Sequence, residues 1–298
     1  DSCPVRYNSG AVASPQEYRQ IRLQDIPSSS FSFVCRELAN VLKGSLAMSH
    51  YYHEHFDWSK NPKEQMVYDL LRNPPSQRTQ HVLLRGSVGS GKTTGAIAWA
   101  FENCLDKYPG SKWLVMRRTN MQLMASVNES IRDFNRDFSI PATYKISKSS
   151  GPPEVTYPNG SKFVFWSSES AVESTTTDTA RGLGGTQYSG ATLEEADMIH
   201  VEAVDTIPQR LREKSGIPVR VIFYVANPTP ESHWLYKRFS VKNKAEIQNP
   251  DYHPEDYHEF HFTLEDNRHW SRPGYIEEMY STYRHRPSLF RRMILGEW

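Results

Sequence analysis

The sequence predicts an α/β fold with a mostly parallel central sheet flanked by helices, and two observations carry this prediction. From Gln80 onward, short apolar runs alternate with amphipathic stretches, which is the pattern of parallel strands joined by crossover helices. A glycine-rich turn also separates the first apolar run from the first helical stretch. With 298 residues, the chain is long enough to bury a stable core without disulfides or metals.

Two strand-and-helix steps open the predicted sheet. Val82–Leu84 is the first buried strand, and apolar residues at helical spacing follow it from Ile97 to Leu105. Trp113–Met116 is the second predicted strand, and the apolar residues between Met124 and Phe138 indicate a long amphipathic helix after it. The order strand, helix, strand, helix is that of a parallel sheet.

A hairpin interrupts this alternation, and two further strands follow it. Val155–Tyr157 and Phe163–Trp166 flank Pro158-Asn159-Gly160, and Asn-Gly tolerates the positive φ angles of tight turns. Tyr188–Leu193 is a strand of weak composition, poor in large aliphatic residues, whereas Val219–Val225 is strongly apolar. We expect both strands to lie in the central sheet.

The chain divides into three predicted parts. Residues 1–55 carry no recognisable chemistry and are interpreted as an N-terminal accessory arm. Residues 56–230 are interpreted as the core that contains the sheet, and residues 231–298 as a small C-terminal lid subdomain. In that last part, the alternation of polar and apolar residues from Glu259 to Leu264 predicts one half-buried strand.

The charge of the whole chain is nearly balanced, at 35 Lys and Arg against 34 Asp and Glu. No overall basic field therefore attracts nucleic acid, and any such contact must be a local patch. Two basic clusters could contact DNA phosphates or could be solvated helix faces. They are Lys237, Arg238, Lys242 and Lys244, and separately Arg284, His285, Arg286, Arg291 and Arg292.

The sequence predicts neither a membrane span nor a disulfide framework. No apolar run approaches the ~20 residues that cross a bilayer. Cys3, Cys35 and Cys104 are odd in number, far apart and without metal-ligand spacing, which favours reduced thiols. We therefore expect a soluble intracellular protein.

The segment from Gly86 to Thr93 fits the pattern G-x-x-x-x-G-K-[ST] between a predicted strand and a predicted helix, which predicts a P-loop NTPase. Its glycines let backbone N–H groups converge on phosphate oxygens, and the following helix adds its positive dipole end. Lys92 should then reach the β- and γ-phosphates, and Thr93 should ligate Mg²⁺. A flexible Gly-Ser turn with an exposed lysine is the alternative. The predicted nucleotide-binding residues of this segment are Gly86, Ser87, Val88, Gly89, Ser90, Gly91, Lys92, Thr93 and Thr94.

A P-loop hydrolase also needs a carboxylate near Mg²⁺ and a base for the attacking water, both at the carboxyl end of a neighbouring strand. Glu194 and Glu195 follow the strand predicted at Tyr188–Leu193 and could supply both. Glu194 would hold the metal, directly or through water, and Glu195 would act on the water. The alternative is an exposed acidic pair that opens a helix.

Several motifs resemble those of the large terminase family, and they occur in the family's order over about residues 56–298. They comprise an adenine-reading segment, a strand that closes with a basic residue, an acidic Walker B ending, a coupling motif and a closing signature. In this chain they are Asn61-Pro62-Lys63-Glu64-Gln65, Val115-Met116-Arg117-Arg118-Thr119, Glu194-Glu195-Ala196, Tyr224-Val225-Ala226-Asn227-Pro228 and Leu295-Gly296-Glu297-Trp298.

The resemblance implies roles for three further residues. Gln65 would offer its amide to adenine as donor and acceptor. Arg181 lies where the family carries an arginine that reaches the ATP of a neighbouring subunit, so we expect an arginine finger there. Asn227 would sense the γ-phosphate and transmit its loss. One departure from the family is Val88, where many relatives place an arginine, and Arg85 could partly replace that side chain.

The same resemblance implies the ATP-hydrolysing motor of a viral DNA-packaging terminase, with ATP and Mg²⁺ as cofactors. It implies double-stranded DNA, a portal protein and a small terminase subunit as partners. It also implies a ring of identical subunits, located in the host cytoplasm and docked transiently on the procapsid. Family members continue into a nuclease domain beyond the Gly-Glu-Trp signature, so we expect no DNA cleavage by these residues. Another P-loop translocase or helicase, and a nucleotide-gated scaffold without hydrolysis, are the alternatives.

Overall fold

The structure is a computed structural model, and it describes residues 57–146, 151–169, 185–214, 216–240 and 252–298. All described residues fall within one compact unit. An eight-stranded, mostly parallel sheet with helices on both faces forms its centre, which confirms the predicted α/β class. The predicted arm, residues 1–55, lies outside the described residues.

Strands and helices alternate along most of the chain. The strands are β1 Gln80–Gly86, β2 Lys112–Arg117, β3 Thr143–Lys145, β4 Glu154–Thr156, β5 Lys162–Ser167, β6 Gly190–Glu194, β7 Val221–Ala226 and β8 Tyr257–Phe262. The longer helices are α1 Pro62–Arg72, α2 Lys92–Ala100, α3 Asn128–Asp137, α4 Val201–Thr206, α5 Trp234–Phe239, α6 Tyr275–Tyr283 and α7 Pro287–Met293. Within the described ranges, no helix has the length and apolar character needed to cross a bilayer.

The sheet has the strand order β3-β4-β5-β2-β6-β7-β1-β8. Pairing is parallel from β5 through to β8 and antiparallel only between β3, β4 and β5. The predicted hairpin is confirmed, because Val155 of β4 lies opposite Phe163 of β5 and Gly160 in the turn has a φ of 81°. The two later predicted strands, observed as β6 and β7, are adjacent in the sheet, as expected.

The strand predicted in the lid region lies in the same sheet. β8 pairs in parallel with β1 at the edge of the sheet, so the sheet extends beyond residue 230. The residues after β8 form a separate small apolar cluster around Leu264, Ile276 and Ile294. The lid boundary at residue 230 stays a prediction, but residues after it contribute to the central sheet.

Alternation along β1 divides the core into two layers. Val82 and Leu84 belong to the cluster on the face covered by α2 and α3, whereas Leu83 belongs to the cluster on the opposite face. Successive side chains of a strand point to opposite faces, so a strand buried on both faces is continuously apolar. Both faces of β1 are therefore covered, and the end of the strand is held rigidly where the glycine-rich loop begins.

The weak composition of β6 has a steric cause in the neighbouring strand. The indole of Trp113 lies across β6, and a Cβ atom on Gly190 would come within 2.2 Å of that ring. The Trp113 Nε1–H donates to the Thr192 hydroxyl at 2.9 Å. Small and polar residues in β6 therefore make room for a buried tryptophan, and the strand keeps its place in the centre of the sheet.

Candidate functional site

The predicted phosphate loop connects the end of β1 to the start of α2. Gly89 and Gly91 have φ angles of 75° and 91°, in the left-handed region that favours glycine. Gly91 immediately precedes α2, which begins at Lys92. The strand-loop-helix context that the motif requires is therefore present.

The loop presents a run of unpaired backbone amides. In the part of the chain that the structure describes, the N–H groups from Gly89 to Thr93 have no hydrogen-bond acceptor. Unpaired amides at the start of a helix, together with its dipole, favour an anion. This half of the loop has the geometry of a phosphate cradle.

Lys92 is buried inside the loop rather than exposed. Its side chain is 7% exposed, and the ammonium group donates to the Gly86 carbonyl at 3.2 Å, the Ser90 hydroxyl at 3.2 Å and the Ser87 carbonyl. Burial lowers the pKa of Lys92 to about 8, against the charges of Glu194 and Asp197, which raise it. The alternative of a flexible turn with an exposed lysine was wrong.

Thr93 and Glu194 meet across the cavity between α2 and β6. The Thr93 hydroxyl donates to Glu194 Oε1 at 2.8 Å, whereas Glu194 Oε2 is buried without a hydrogen-bond partner among the described residues. Burial raises the pKa of Glu194 to about 7, and Thr93 and Lys92 oppose that shift. A hydroxyl and a carboxylate with a spare oxygen are hard ligands of the kind that Mg²⁺ prefers, so these residues fit the predicted metal.

Glu195 pairs with Arg117, the last residue of β2. Its φ of 50° is uncommon for a residue other than glycine, and such strain is often found at functional sites. Arg117 Nε donates to Glu195 Oε2 at 3.1 Å, and Arg117 also donates to the Ser126 hydroxyl and the Gln122 carbonyl. The acidic pair is therefore not a freely exposed helix start, and Glu195 is held by Arg117.

A cavity of about 190 Å³ lies between the loop and the acidic pair. It brings together the loop, both glutamates and the end of β7, as the sequence predicted. Its lining residues are Val88, Gly89, Lys92, Thr93, Glu194, Glu195, Val225, Ala226 and Asn227.

Asp197 is a neighbour of the site that sequence reasoning missed. Its carboxylate lies near the backbone of Asn227 and within the electrostatic reach of Lys92, Glu195 and Arg292, and its Oδ1 is buried without a hydrogen-bond partner among the described residues. Burial raises the pKa of Asp197. The acid therefore lies between the end of β6 and the predicted sensor. Its position two residues after the acidic pair was the available signal.

Six of the predicted residues that the structure describes are not among those that line this cavity, namely Gly86, Ser87, Ser90, Gly91, Thr94 and Gln65. The Gln65 amide on α1 donates to Asp69 at 2.9 Å, and Thr94 is exposed on the first turn of α2. Arg181 lies outside the described residues. Their roles in adenine recognition, phosphate binding and hydrolysis in a neighbouring subunit stay predictions. Asn61, from the same motif as Gln65, does contact the loop, because its amide donates to the Ser90 carbonyl at 3.4 Å.

Arg85 cannot replace the missing loop arginine in this arrangement. Its side chain is 8% exposed, and its Nε lies 2.7 Å from Glu259 Oε1 on β8, away from the phosphate cradle. The expectation that Arg85 substitutes for a side chain at Val88 was therefore wrong, because a carboxylate on β8 already holds the guanidinium.

The two basic clusters are partly neutralised by local acids. Arg238 pairs with Asp205 at 2.8 Å, and Arg291 pairs with Glu297 at 2.7 Å. Lys242 and Lys244 lie outside the described residues. DNA contact by either cluster stays a prediction.

The sheet, the loop and the paired carboxylates define the chain as a P-loop NTPase by fold. Residues 78–297 match the family model Terminase_3, described as phage terminase large subunit. Because that match covers most of the chain, the protein belongs to the phage terminase large subunit family.

Solved structures of large terminases share this fold. The large terminase of a thermophilic bacteriophage aligns with a TM-score of 0.59 and 16% identity, covering 80% of this chain and 53% of that chain. The same phage protein in complex with ADP aligns with a TM-score of 0.57 and 17% identity, covering 80% of this chain and 53% of that chain. The HK97 bacteriophage large terminase aligns with a TM-score of 0.53 and 12% identity, covering 80% of this chain and 50% of that chain. The chain thus spans about half the length of these proteins. A comparison with curated proteins finds no match.

Proposed function

We propose that this chain is the ATP-hydrolysing motor of a viral DNA-packaging machine and that it moves double-stranded DNA into a procapsid. The observation that carries the proposal is the cavity in which the unpaired loop amides face Thr93, Glu194 and Glu195. Membership of the terminase large subunit family supports the biological setting. The large terminase of the thermophilic bacteriophage has been solved in complex with ADP and with ATP-gamma-S, which supports nucleotide binding at the shared fold.

The loop and Lys92 bind the phosphates in this proposal. The amides from Gly89 to Thr93 donate to phosphate oxygens, and the Lys92 ammonium exchanges loop carbonyls for the β- and γ-phosphates. The buried position of Lys92 strengthens that attraction because few water molecules screen it. Thr93 and Glu194 would hold Mg²⁺, which would neutralise charge that develops on the phosphates.

Glu195 orients and deprotonates the attacking water, with Arg117 fixing its carboxylate. Asn227 contacts the γ-phosphate and passes its loss to the segment after β7, and Asp197 lies beside the Asn227 backbone. Arg181 of a neighbouring subunit in a ring stabilises the transition state. A portal protein, a small terminase subunit and a site of action in the host cytoplasm on the procapsid complete the proposed setting.

A DNA-stimulated ATPase assay on this chain, with its oligomeric state recorded, tests the proposal. We expect phosphate release that increases when double-stranded DNA is added. Glu195→Gln should bind ATP as tightly as the wild type and hydrolyse it at least about a hundredfold more slowly, because general base catalysis contributes 10²–10⁴. Glu202→Gln, on an exposed acid at the start of α4, is the matched control and should keep wild-type turnover. Near-normal turnover by Glu195→Gln would remove Glu195 from its role.

The finger has a separate test by subunit mixing. Arg181→Ala subunits mixed with Glu195→Gln subunits should recover activity if Arg181 serves a neighbour's ATP. No recovery would place the arginine at its own site or outside the reaction. Strand separation in a labelled duplex would favour the helicase alternative.

One observation favours a second candidate, a nucleotide-gated scaffold. Both carboxylate oxygens of Glu195 are paired with the Arg117 guanidinium in this structure, so an attacking water must compete with Arg117 for this carboxylate. Tight nucleotide binding without phosphate release, with and without DNA, would support that candidate over a motor.

A further inference from the structure

The first half of the phosphate loop is hydrogen-bonded to the C-terminal part of the chain. The Ser87 N–H donates to the Phe262 carbonyl at 3.0 Å, and the Val88 N–H donates to the Met293 carbonyl at 3.2 Å. These acceptors are the last residues of β8 and α7. The loop amides are therefore divided, because the first two bind protein and the following ones face the cavity.

Arg85, the residue before the loop, fastens the same C-terminal part. Its Nε lies 2.7 Å from Glu259 Oε1, its Nη1 donates to the Gly296 carbonyl, and its guanidinium lies 4.6 Å from the ring centre of Trp298. The Trp298 Nε1–H donates to the same Glu259 oxygen at 3.1 Å. One buried arginine thus uses its planar fork and its stacking face together, which lysine cannot do.

The backbones of the two segments are in direct contact at Gly86 and Gly296. A Cβ atom on Gly296 would come within 2.6 Å of the Gly86 Cα, and one on Gly86 would come within 1.8 Å of the Phe262 carbonyl oxygen. No side chain separates the segments, so the shape of one constrains the shape of the other. His261 Nε2 is also hydrogen-bonded to the Leu295 carbonyl, at 2.6 Å.

We propose that Arg85 is a positioning residue for nucleotide binding. Through Glu259, Gly296 and Trp298 it holds residues Met293–Trp298, which we call the closing segment, against the phosphate loop. The loop then keeps the shape in which its second half is open to phosphate. Because binding linkage is reciprocal, nucleotide binding in turn orders the closing segment. The inference rests on the proposed function only in requiring that the loop binds nucleotide.

The test compares arginines at the two ends of β1. Arg85→Gln removes the contacts to the closing segment, whereas Arg78→Gln removes an arginine just before β1 that pairs with Asp256 just before β8, at the opposite end of these strands from the loop. Dissociation constants for a fluorescent ADP with Mg²⁺, the KM and kcat for ATP, and melting temperatures are measured for both. We expect Arg85→Gln to weaken nucleotide binding about tenfold, equivalent to about 1.4 kcal/mol, and to raise KM more than it lowers kcat. Arg78→Gln should keep wild-type affinity, and Arg85→Lys should restore little of the loss.

A second measurement covers the case in which Arg85→Gln does not fold. Hydrogen exchange of the closing segment should slow when nucleotide is added to the wild type, and should not change in Lys92→Ala. Trp298→Ala, which removes only the ring over the guanidinium, should weaken this response. Two outcomes would overturn the inference and leave the proposed function intact. In the first, hydrogen exchange of the closing segment does not change at saturating nucleotide. In the second, Arg85→Gln loses stability but keeps its nucleotide affinity. If the wild-type chain binds nucleotide without hydrolysing it, only the proposed motor function is wrong. If it binds no nucleotide, both the proposed function and this inference are wrong.

Discussion

The central sheet has an amino edge, where its parallel strands begin, and a carboxyl edge, where they end, and the two edges differ in how a carboxylate is hydrogen-bonded. At the amino edge, Asp256 accepts hydrogen bonds from the Ser76 hydroxyl at 2.6 Å, Arg78 Nε at 2.5 Å and the Gln80 amide at 3.3 Å. At the carboxyl edge, Glu194 Oε2 has no partner among the described residues, and neither do the amides of the second half of the loop.

Buried polar groups in proteins are normally paired, so a cluster of unpaired ones requires an explanation. At the amino edge, Asp256 and its three donors form a network that stabilises the fold. At the carboxyl edge, unpaired amide donors and an unpaired carboxylate oxygen face one cavity. Such a combination suits an anion that binds together with a cation. The comparison therefore separates polar residues that stabilise the fold from polar residues whose unpaired groups are available to a ligand.

The largest effect that would sharpen this comparison is expected at Lys92. In Lys92→Ala, we predict that kcat/KM for ATP falls at least about a thousandfold, which corresponds to about 4 kcal/mol of lost transition-state binding. The melting temperature should change little, because the ammonium bonds only to its own loop and carries a burial cost that alanine removes. Turnover assays and thermal unfolding check both halves. If Lys92→Ala loses much of its stability as well as its activity, Lys92 is one of the residues that stabilise the fold.

The carboxyl group of Glu64, which lies beneath the phosphate loop, allows a test of burial by the pH dependence of stability. It is buried against Gly91 and Gly95, and burial raises its pKa from 4.5 to about 8. A raised pKa in an acid means that its contribution to stability is present below about pH 4.5 and is lost as the pH rises to about 8.

Glu64→Gln, which cannot ionise, should therefore gain stability relative to the wild type as the pH rises. We expect a relative gain of about 4 kcal/mol between pH 4.5 and pH 8, because each unit of pKa difference between the folded and unfolded states corresponds to about 1.4 kcal/mol. Urea unfolding of both proteins across this range measures it. Curves that stay parallel at all pH values would show that the carboxyl is ionised or solvated in the folded state.

The smallest of these effects is expected at the amino edge, with stability affected instead of activity. In Asp256→Asn, the new amide would face three donors, from Ser76, Arg78 and Gln80, so some hydrogen bonds to the carboxylate are lost. We predict a loss of about 2 kcal/mol in the free energy of unfolding, with nucleotide affinity unchanged. Denaturant unfolding and nucleotide titration check this prediction. Weakened nucleotide binding by a folded Asp256→Asn would break the distinction between the two edges.

The sequence predicted the parts of this site that depend on local pattern. The loop from Gly86 to Thr93 has a fixed spacing because glycines are needed at positive φ, and the apolar runs on either side show the strand and the helix. Glu194 and Glu195 could be placed because they follow a strand, and Asn227 because it follows another. Parallel strands bring such residues to one edge of a sheet.

The rest depends on contacts between residues far apart in sequence. The ion pair that keeps Arg85 from replacing the loop arginine was missed because nothing near Arg85 in sequence reveals Glu259, which lies 174 positions away on an edge strand. The pairing of Arg117 with Glu195 spans 78 positions and was missed for the same reason. Side-chain pairing across a sheet is set by strand order, which local pattern does not encode.

The indole of Trp113 ties together two positions in adjacent strands, and this predicts how relatives should vary. Any side chain larger than hydrogen at position 190 would collide with that ring, and the hydroxyl at Thr192 accepts its N–H. We therefore expect homologues with a bulkier residue at 190 to carry a smaller one at 113. Those in which both positions are large should place the acidic pair differently.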